Sequence, residues 1–239
     1  MPGLQLRQLL AVLANSTVPQ LSVGKPQSLG TGQTHAASVV TITTTAAVAN
    51  GDLLVCGISW YSLSTLTVLS VSDGTNSYSR ANTQYATAGA EYREGEFWAC
   101  TNAKAVTTGA TITVTMSAAT GASAQPLQAL AARVPVSPTT PVKNGTATYQ
   151  FGNVVTTAAP SLLAPVRAAP FAIVFGFIAT DDFTQTVSPG FTNINGVLNA
   201  ELNMQSYLDY AIVTTNAAIT YAPALSGASA GVLMVTPYI

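Results

Sequence analysis

Between Thr111 and Met116 the chain reads Thr-Ile-Thr-Val-Thr-Met, threonines alternating with apolar residues without an error. Successive side chains of a strand point to opposite faces, so this segment carries one dry face and one wet face. A helix would scatter the same residues around its circumference. Leu53 to Trp60 and Phe171 to Ile178 are instead almost continuously apolar, the pattern of central strands covered on both faces. Turn residues punctuate the intervals, at Asn50-Gly51, Asp73-Gly74, Asn144-Gly145, Pro189-Gly190 and Asn195-Gly196. About a dozen short strands are expected after residue 36, with no long helix, which makes the chain all-β: an antiparallel sandwich or barrel.

The N-terminus reads differently. Leu6, Leu9, Leu10 and Leu13 recur at helical spacing until Asn15-Ser16-Thr17 and Pro19 stop the pattern. Residues 18–36 are rich in Gly, Pro, Ser, Thr and Gln and show no period. A short helix followed by an extended arm is expected over 1–36. A helix this short is marginal in water, so its leucines need a surface to pack on, in this chain or in a neighbouring subunit.

Within 37–239 the chain repeats itself faintly. Leu54-Val55-Cys56-Gly57-Ile58 resembles Ile173-Val174-Phe175-Gly176-Phe177, and Val71-Ser72-Asp73-Gly74 resembles Val187-Ser188-Pro189-Gly190. Trp98-Ala99-Cys100 then answers to Tyr210-Ala211-Ile212, and Ile112-Thr113-Val114 to Ile219-Thr220-Tyr221. Gly121-Ala122-Ser123-Ala124 recurs identically at 227–230, and Val134-Pro135-Val136 parallels Thr236-Pro237-Tyr238. The order is kept while the spacing shrinks, as in a second copy with shorter loops. Two halves, about 37–137 and 142–239, sharing one core fit a jelly roll, which is two Greek keys folded into one double-sheet sandwich. Two separate sandwiches joined near Pro138 to Pro141 are the competing arrangement.

Composition narrows the function. Eight basic and nine acidic residues make the chain 7% charged, against about 25% in an ordinary soluble domain. An apolar fraction of 48% argues against a disordered tail, and a net charge of −1 offers no basic surface to nucleic acid. The longest apolar run, Ala168 to Ala179, is broken by Pro170 and is well short of the ~20 residues of a membrane-spanning helix. Leu9 to Ala14 is shorter than the ~7–15 residues of a secretory signal core. No membrane association is expected, and Cys56 and Cys100 read as reduced core thiols of a protein made in a cytosol.

Chemical motifs are sparse. His35, the one histidine, falls in the arm, a poor place for a catalytic base. Glu94 and Glu96 share strand parity with Trp98, the one hint of a glycosidase-like acid pair, against a plainer reading of Glu91, Arg93, Glu94 and Glu96 as a solvated strand entrance. Asp181, Asp182 and Thr184, or Asp73 and Asn76, offer oxygens without the spacing of a calcium loop, and no Cys/His cluster suggests zinc. There is no Gly-rich phosphate loop. No catalytic residue, metal or cofactor is expected. Tyr78, Tyr85 and Tyr92 fall in predicted loop or edge segments, where tyrosines could stack on sugar rings.

The series Gly51-Asp52-Leu53-Leu54-Val55, Val71-Ser72-Asp73-Gly74-Thr75-Asn76-Ser77-Tyr78, Thr111-Ile112-Thr113-Val114 and Pro138-Thr139-Thr140-Pro141-Val142 resembles a β-sandwich module of tailed-phage particle proteins and bacterial surface repeats. Thr140 stands where that module usually has Asn. The resemblance spans about residues 38–239 and rests on strand and turn patterns. It implies a jelly-roll-like, non-catalytic module that decorates or extends a large assembly. The expected function is a structural protein of the virion, a bacteriophage capsid decoration or cement protein made in the host cytoplasm. Its partners would be the major capsid protein or other virion subunits, and copies of itself. A trimer is expected because such subunits commonly sit on local threefold axes. Leu6, Leu9, Leu10 and Leu13 would supply assembly contacts. A tail or fibre component, or a host-glycan-binding module using Tyr78, Tyr85 and Tyr92, are the alternatives.

Overall fold

The computed structural model describes residues 22–88, 91–121, 125–137, 148–152, 162–164, 172–180, 184–199, 204–213, 219–226 and 231–238. Every regular element among them is a β-strand, and every pairing is antiparallel. The first half holds β1 (Ser22–Val23), β2 (Gln27–His35), β3 (Val39–Thr43), β4 (Leu53–Ser62), β5 (Val68–Ser72), β6 (Ser79–Ala88), β7 (Glu91–Cys100), β8 (Thr111–Met116), β9 (Pro126–Val134) and β10 (Val136–Ser137). The second holds β11 (Thr148–Gly152), β12 (Leu162–Ala164), β13 (Ala172–Thr180), β14 (Gln185–Thr186), β15 (Thr192–Asn199), β16 (Met204–Val213), β17 (Ile219–Tyr221), β18 (Ala224–Leu225) and β19 (Gly231–Tyr238).

These strands stack in layers. A five-stranded sheet, β2-β9-β4-β7-β6, is covered on one face by the three-stranded sheet β3-β8-β5. Its other face meets a second five-stranded sheet, β11-β19-β13-β16-β15. The far face of that sheet is covered by the short pairs β12-β17 and β14-β18. The result is three hydrophobic cores where the sequence suggested one. Leu54, Cys56, Ile58 and Trp60 of β4 point into the first outer core, while Leu53 and Val55 point into the central core. Ile173, Phe175 and Phe177 of β13 join them in the centre, and Val174 and Ile178 enter the second outer core. Both continuous apolar runs are therefore strands buried on two faces. Each such side chain contributes about 1.5–3 kcal/mol by leaving water.

The halves follow one plan. Their large sheets have the same strand order, and the same edge strand carries a bulge at the same place, Arg80/Asn82 in β6 and Asn193/Asn195 in β15. Aligned on those bulges, Arg80 corresponds to Asn193, Glu94 to Gln205, Glu96 to Tyr207, Trp98 to Asp209, Leu54 to Val174, Gly57 to Phe177 and Trp60 to Thr180. The sequence match paired Leu54 with Ile173 and Trp98 with Tyr210, one residue out in both strands. Leu54 and Trp98 face an outer core, but Ile173 and Tyr210 face the central one. In a strand a one-residue slip changes the face, so the register had to come from the layers.

An approximate twofold axis runs along β4 and β13, since β2 packs on β15 and β6 on β11. Gly57 and its counterpart Phe177 meet on it. A Cβ at Gly57 would lie 2.4 Å from the Phe177 ring, so the missing side chain in one copy is the seat of the ring in the other.

Two expectations need correction. Gln27–His35, read as part of an unpaired arm, is strand β2 and pairs with β9 along its whole length. Its glycines, which read as loop, mark close backbone approach: a Cβ at Gly32 would sit 2.1 Å from the Thr41 carbonyl oxygen of β3. Asn195-Gly196, read as a turn, lies inside β15 at its bulge. The turns at Asn50-Gly51, Asp73-Gly74 and Pro189-Gly190 are present, each with its glycine at positive φ. The helix expected over the first residues lies outside the described residues, as does Asn144-Gly145.

Candidate functional site

Several polar residues of this charge-poor chain are buried in its cores. On β7, Glu94, Glu96 and Trp98 point one above another into the first outer core, with relative exposures of 1%, 0% and 7%. They face β5, which has a strand neighbour, β8, on one side only. Side chains serve its other side. Glu94 Oε2 accepts hydrogen bonds from the Leu66 amide at 3.2 Å and from the Trp60 indole. Glu96 Oε1 accepts from the Val68 amide at 3.2 Å, and its Oε2 from the Trp98 indole at 2.7 Å. Arg80 completes the set: its Nε lies 2.8 Å from Glu96 Oε2, its Nη2 donates to the Val68 carbonyl, and its guanidinium lies 5.5 Å from the Trp98 ring centre. Carboxylates and a guanidinium thus satisfy backbone groups that would otherwise be orphaned at a buried strand edge.

Burial sets the protonation of these acids. It pushes the Glu94 carboxyl up to about 7, against the opposing pull of the Leu66 amide and the Trp60 indole. Glu96 is also raised by burial, with Trp98, Val68 and Arg80 holding it back. The solvated strand entrance expected for these glutamates is therefore corrected: both side chains are inside. The acid-pair reading loses its cleft for the same reason, because both carboxylates are engaged in joining two sheets.

The second half repeats the column with other residues. Gln205, Tyr207 and Asp209 of β16 occupy the places of Glu94, Glu96 and Trp98. Asp209, fully buried, accepts from the Tyr221 hydroxyl at 2.7 Å, from Asn193 Nδ2 at 2.8 Å and from the Gln185 amide of β14. Burial raises its carboxyl above the ordinary range, with those three donors opposing. Tyr207 donates to Gln205 Oε1 at 2.5 Å. Sequence reasoning missed this cluster. The signal was available in the shared parity of Gln205, Tyr207 and Asp209, but its partners Gln185 and Tyr221 come from distant strands.

Polar contacts also cross between the halves. Ser59 and Ser206 lie 2.7 Å apart, Ser206 donates to Gln128 Oε1 at 2.6 Å, and Gln128 Nε2 donates to the Met204 carbonyl. Asn195 Nδ2 reaches the Ser28 hydroxyl and the Gly30 and Ala131 carbonyls. At one end of β4 and β13 a small pocket is lined by Trp60, Glu94, Ala179, Thr180, Met204 and Val232.

The remaining sequence candidates are dispersed. Tyr78, expected on a loop rim, is buried in the first outer core, and burial with the nearby Asp73 raises its hydroxyl. It offers no face to a sugar. The backbones of Tyr85 and Tyr92 run in β6 and β7, and their side chains lie outside the description, as do Leu6, Leu9, Leu10, Leu13, Asp181 and Asp182. His35 ends β2 opposite Pro126 and is exposed. Asp73 and Asn76 lock a turn: Asp73 Oδ1 accepts the Thr75 and Asn76 amides at 2.9 and 2.7 Å, and Asn76 bonds both backbone groups of Lys104. Cys56 and Cys100 are free and buried, and burial pushes the Cys56 thiol up to about 12. Among the described residues, no three His, Cys, Asp or Glu side chains gather as a metal site, and no helix is long and apolar enough to cross a membrane.

No family model matches the chain, and neither a curated protein nor a solved structure is recognisably similar to it.

Proposed function

We propose that the chain is a non-enzymatic structural subunit of a virus particle, a bacteriophage capsid decoration or cement protein whose partners are the major capsid protein and further copies of itself, as a trimer. The observation that carries this reading is the outer face of the sheet β3-β8-β5. Thr41, Thr43, Thr111, Ser70 and Ser72 are exposed there beside Val39 and Leu69, with no charged side chain on those strands. An uncharged face on a chain of near-zero net charge favours association over free solubility. The charged groups that the chain does have are partly withdrawn into its cores.

In this reading each half is a jelly-roll-like unit. Counting β2 to β9 as eight strands, one sheet runs first, eighth, third, sixth, fifth and the other second, seventh, fourth. That order supports a jelly-roll reading in which the fifth strand has moved to the larger sheet, with Arg80, Glu94 and Glu96 at the edge it would otherwise cover.

Copy number in purified particles of the phage that encodes the chain tests the reading, by quantitative mass spectrometry against the shell protein. Hundreds of copies in simple ratio to the shell subunit support the capsid role. A few copies in threes or sixes move the protein to a tail or fibre. Finding none overturns the virion assignment. Removing residues 1–21, and with them Leu6, Leu9, Leu10 and Leu13, is expected to abolish incorporation while leaving the sandwich folded. Unchanged incorporation would remove Leu6, Leu9, Leu10 and Leu13 from the interface.

A further inference from the structure

We propose that Asn195 is a single-use latch between the two halves. Its side-chain amide holds the seam closed, and once β15 lifts away that amide is lost to the neighbouring Gly196 in a deamidation that the folded chain resists. The latch is visible in its contacts. Asn195 follows the bulge of β15 and reaches into the first half, where its Nδ2 donates to the Ser28 hydroxyl at 3.0 Å, to the Gly30 carbonyl at 3.3 Å and to the Ala131 carbonyl at 3.0 Å. Ser28 and Gly30 flank the bulge of β2, and Ala131 of β9 is the partner of Gly30. One amide thus ties an edge strand of the second half to two strands of the first. Its Oδ1 is buried and takes no hydrogen bond among the described residues.

The same bulge in the first half carries the same residue. Asn82 of β6 corresponds to Asn195, since Asn82 stands opposite Phe97 where Asn195 stands opposite Leu208, and it is also buried. The following residue differs: Thr83 in the first half, Gly196 in the second. Glycine is required at 196, because a Cβ there would lie 2.7 Å from the Tyr207 ring. That packing need sets a glycine after the latch, and with no side chain in the way the glycine amide nitrogen reaches the asparagine side chain with least hindrance.

In the reaction the Gly196 amide nitrogen gives up its proton and bonds to Asn195 Cγ, and the Cγ–Nδ2 bond breaks with release of ammonia. Water then opens the succinimide ring at either carbonyl, leaving aspartate or isoaspartate, with no change of oxidation state. Ring closure needs the backbone at Asn195 turned out of the extended form that β15 imposes, and Nδ2 freed from its three acceptors. Pairing and latch together therefore hold the reaction back. Afterwards the donor is gone. A carboxylate at 195 faces the Gly30 and Ala131 carbonyls with nothing to give them, and isoaspartate adds a backbone carbon that shifts β15 against β16.

The test uses the full chain. Native protein and protein opened in urea are aged side by side in mildly alkaline buffer, and the peptides carrying Asn82 and Asn195 are followed by mass spectrometry and by isoaspartate detection. Asn195 is expected to convert in the opened chain, ahead of Asn82, and roughly tenfold or more slowly in the native one. Asn195→Asp, the product made directly, is expected to melt about 3–8 °C below the parent and also below Asn195→Ala, with quicker amide exchange in β2 and β15. Should Asn195→Asp fail to fold, the aged parent returned to native buffer supplies the same readout, its converted fraction exchanging faster in those two strands. Equal conversion in native and opened chains, no conversion in the opened chain, or a converted protein whose β2 and β15 stay as protected as the parent's overturns the proposal.

Discussion

The two halves solve one problem with different residues. In each, a column of three side chains on the strand beside the centre reaches toward a short strand in the outer layer. The first half uses two glutamates and a tryptophan, and Arg80 from the bulged strand engages them by charge and by its position over the indole. The second half uses Gln205, Tyr207 and one aspartate, and Asn193 from the equivalent bulge donates to Asp209. What the position requires is therefore not a charge but acceptors at a fixed height above the sheet. The halves also differ on the axis they share, where Gly57 in one copy yields its space to Phe177 in the other. A fold that began as two equal copies would have clashed or left a void there, and the close packing of interiors tolerates neither.

That comparison can be broken first at Asp209. Asp209→Ala leaves Tyr221, Asn193 and Gln185 without their shared acceptor, and a loss of about 3–5 kcal/mol in denaturant unfolding is expected. Asp209→Asn is expected to recover part of that loss, since an amide oxygen still accepts. Equal losses in the two variants would mean that charge, not acceptance, is what the column requires.

Next is the axis. Gly57→Val drives a side chain into the Phe177 ring, and a cost of about 3 kcal/mol is expected. Adding Phe177→Leu should return a good share of it, and strictly additive costs in the double variant would deny that the two residues meet. Smaller again is Gln205→Glu, which gives the second half the acid of the first. Because burial raises such a carboxyl, this variant is expected to approach the parent near pH 5 and to fall about 1–2 kcal/mol below it near pH 9. A pH-independent difference would separate the two columns in kind. The smallest effect is expected from Arg80→Met. It keeps a long apolar stem over Trp98 but loses the guanidinium, at a cost of about 1 kcal/mol at this partly exposed site. Indole fluorescence would report the change in contact.

Much of the fold was readable before any coordinates. The alternation of Thr111–Met116 matches β8, with Ile112, Val114 and Met116 buried and Thr111 exposed. The apolar runs match β4 and β13, and three of the five turn dipeptides sit at turns. Glycine misled twice, for a physical reason. Gly30 and Gly32 in β2, and Gly196 in β15, serve close packing of backbone or ring, and in sequence that use is indistinguishable from a loop. Tyr78 was misplaced because an amphipathic side chain beside a turn reads as a rim residue, whereas Asp73 draws its hydroxyl inward.

By itself the sequence determined the class of structure and the interior lines of its strands, because a period of two and a continuous apolar run each follow from where side chains point. It also determined that charge would be scarce wherever the chain met solvent. Only the tertiary structure decided which face of each strand looks outward and which looks to the centre, since a one-residue shift in register exchanges them with little trace in composition. It alone decided that Glu94, Glu96 and Asp209 are buried. A carboxylate's place is set by the donors brought to it from other strands, and strands distant in sequence become neighbours only once the sheets have stacked.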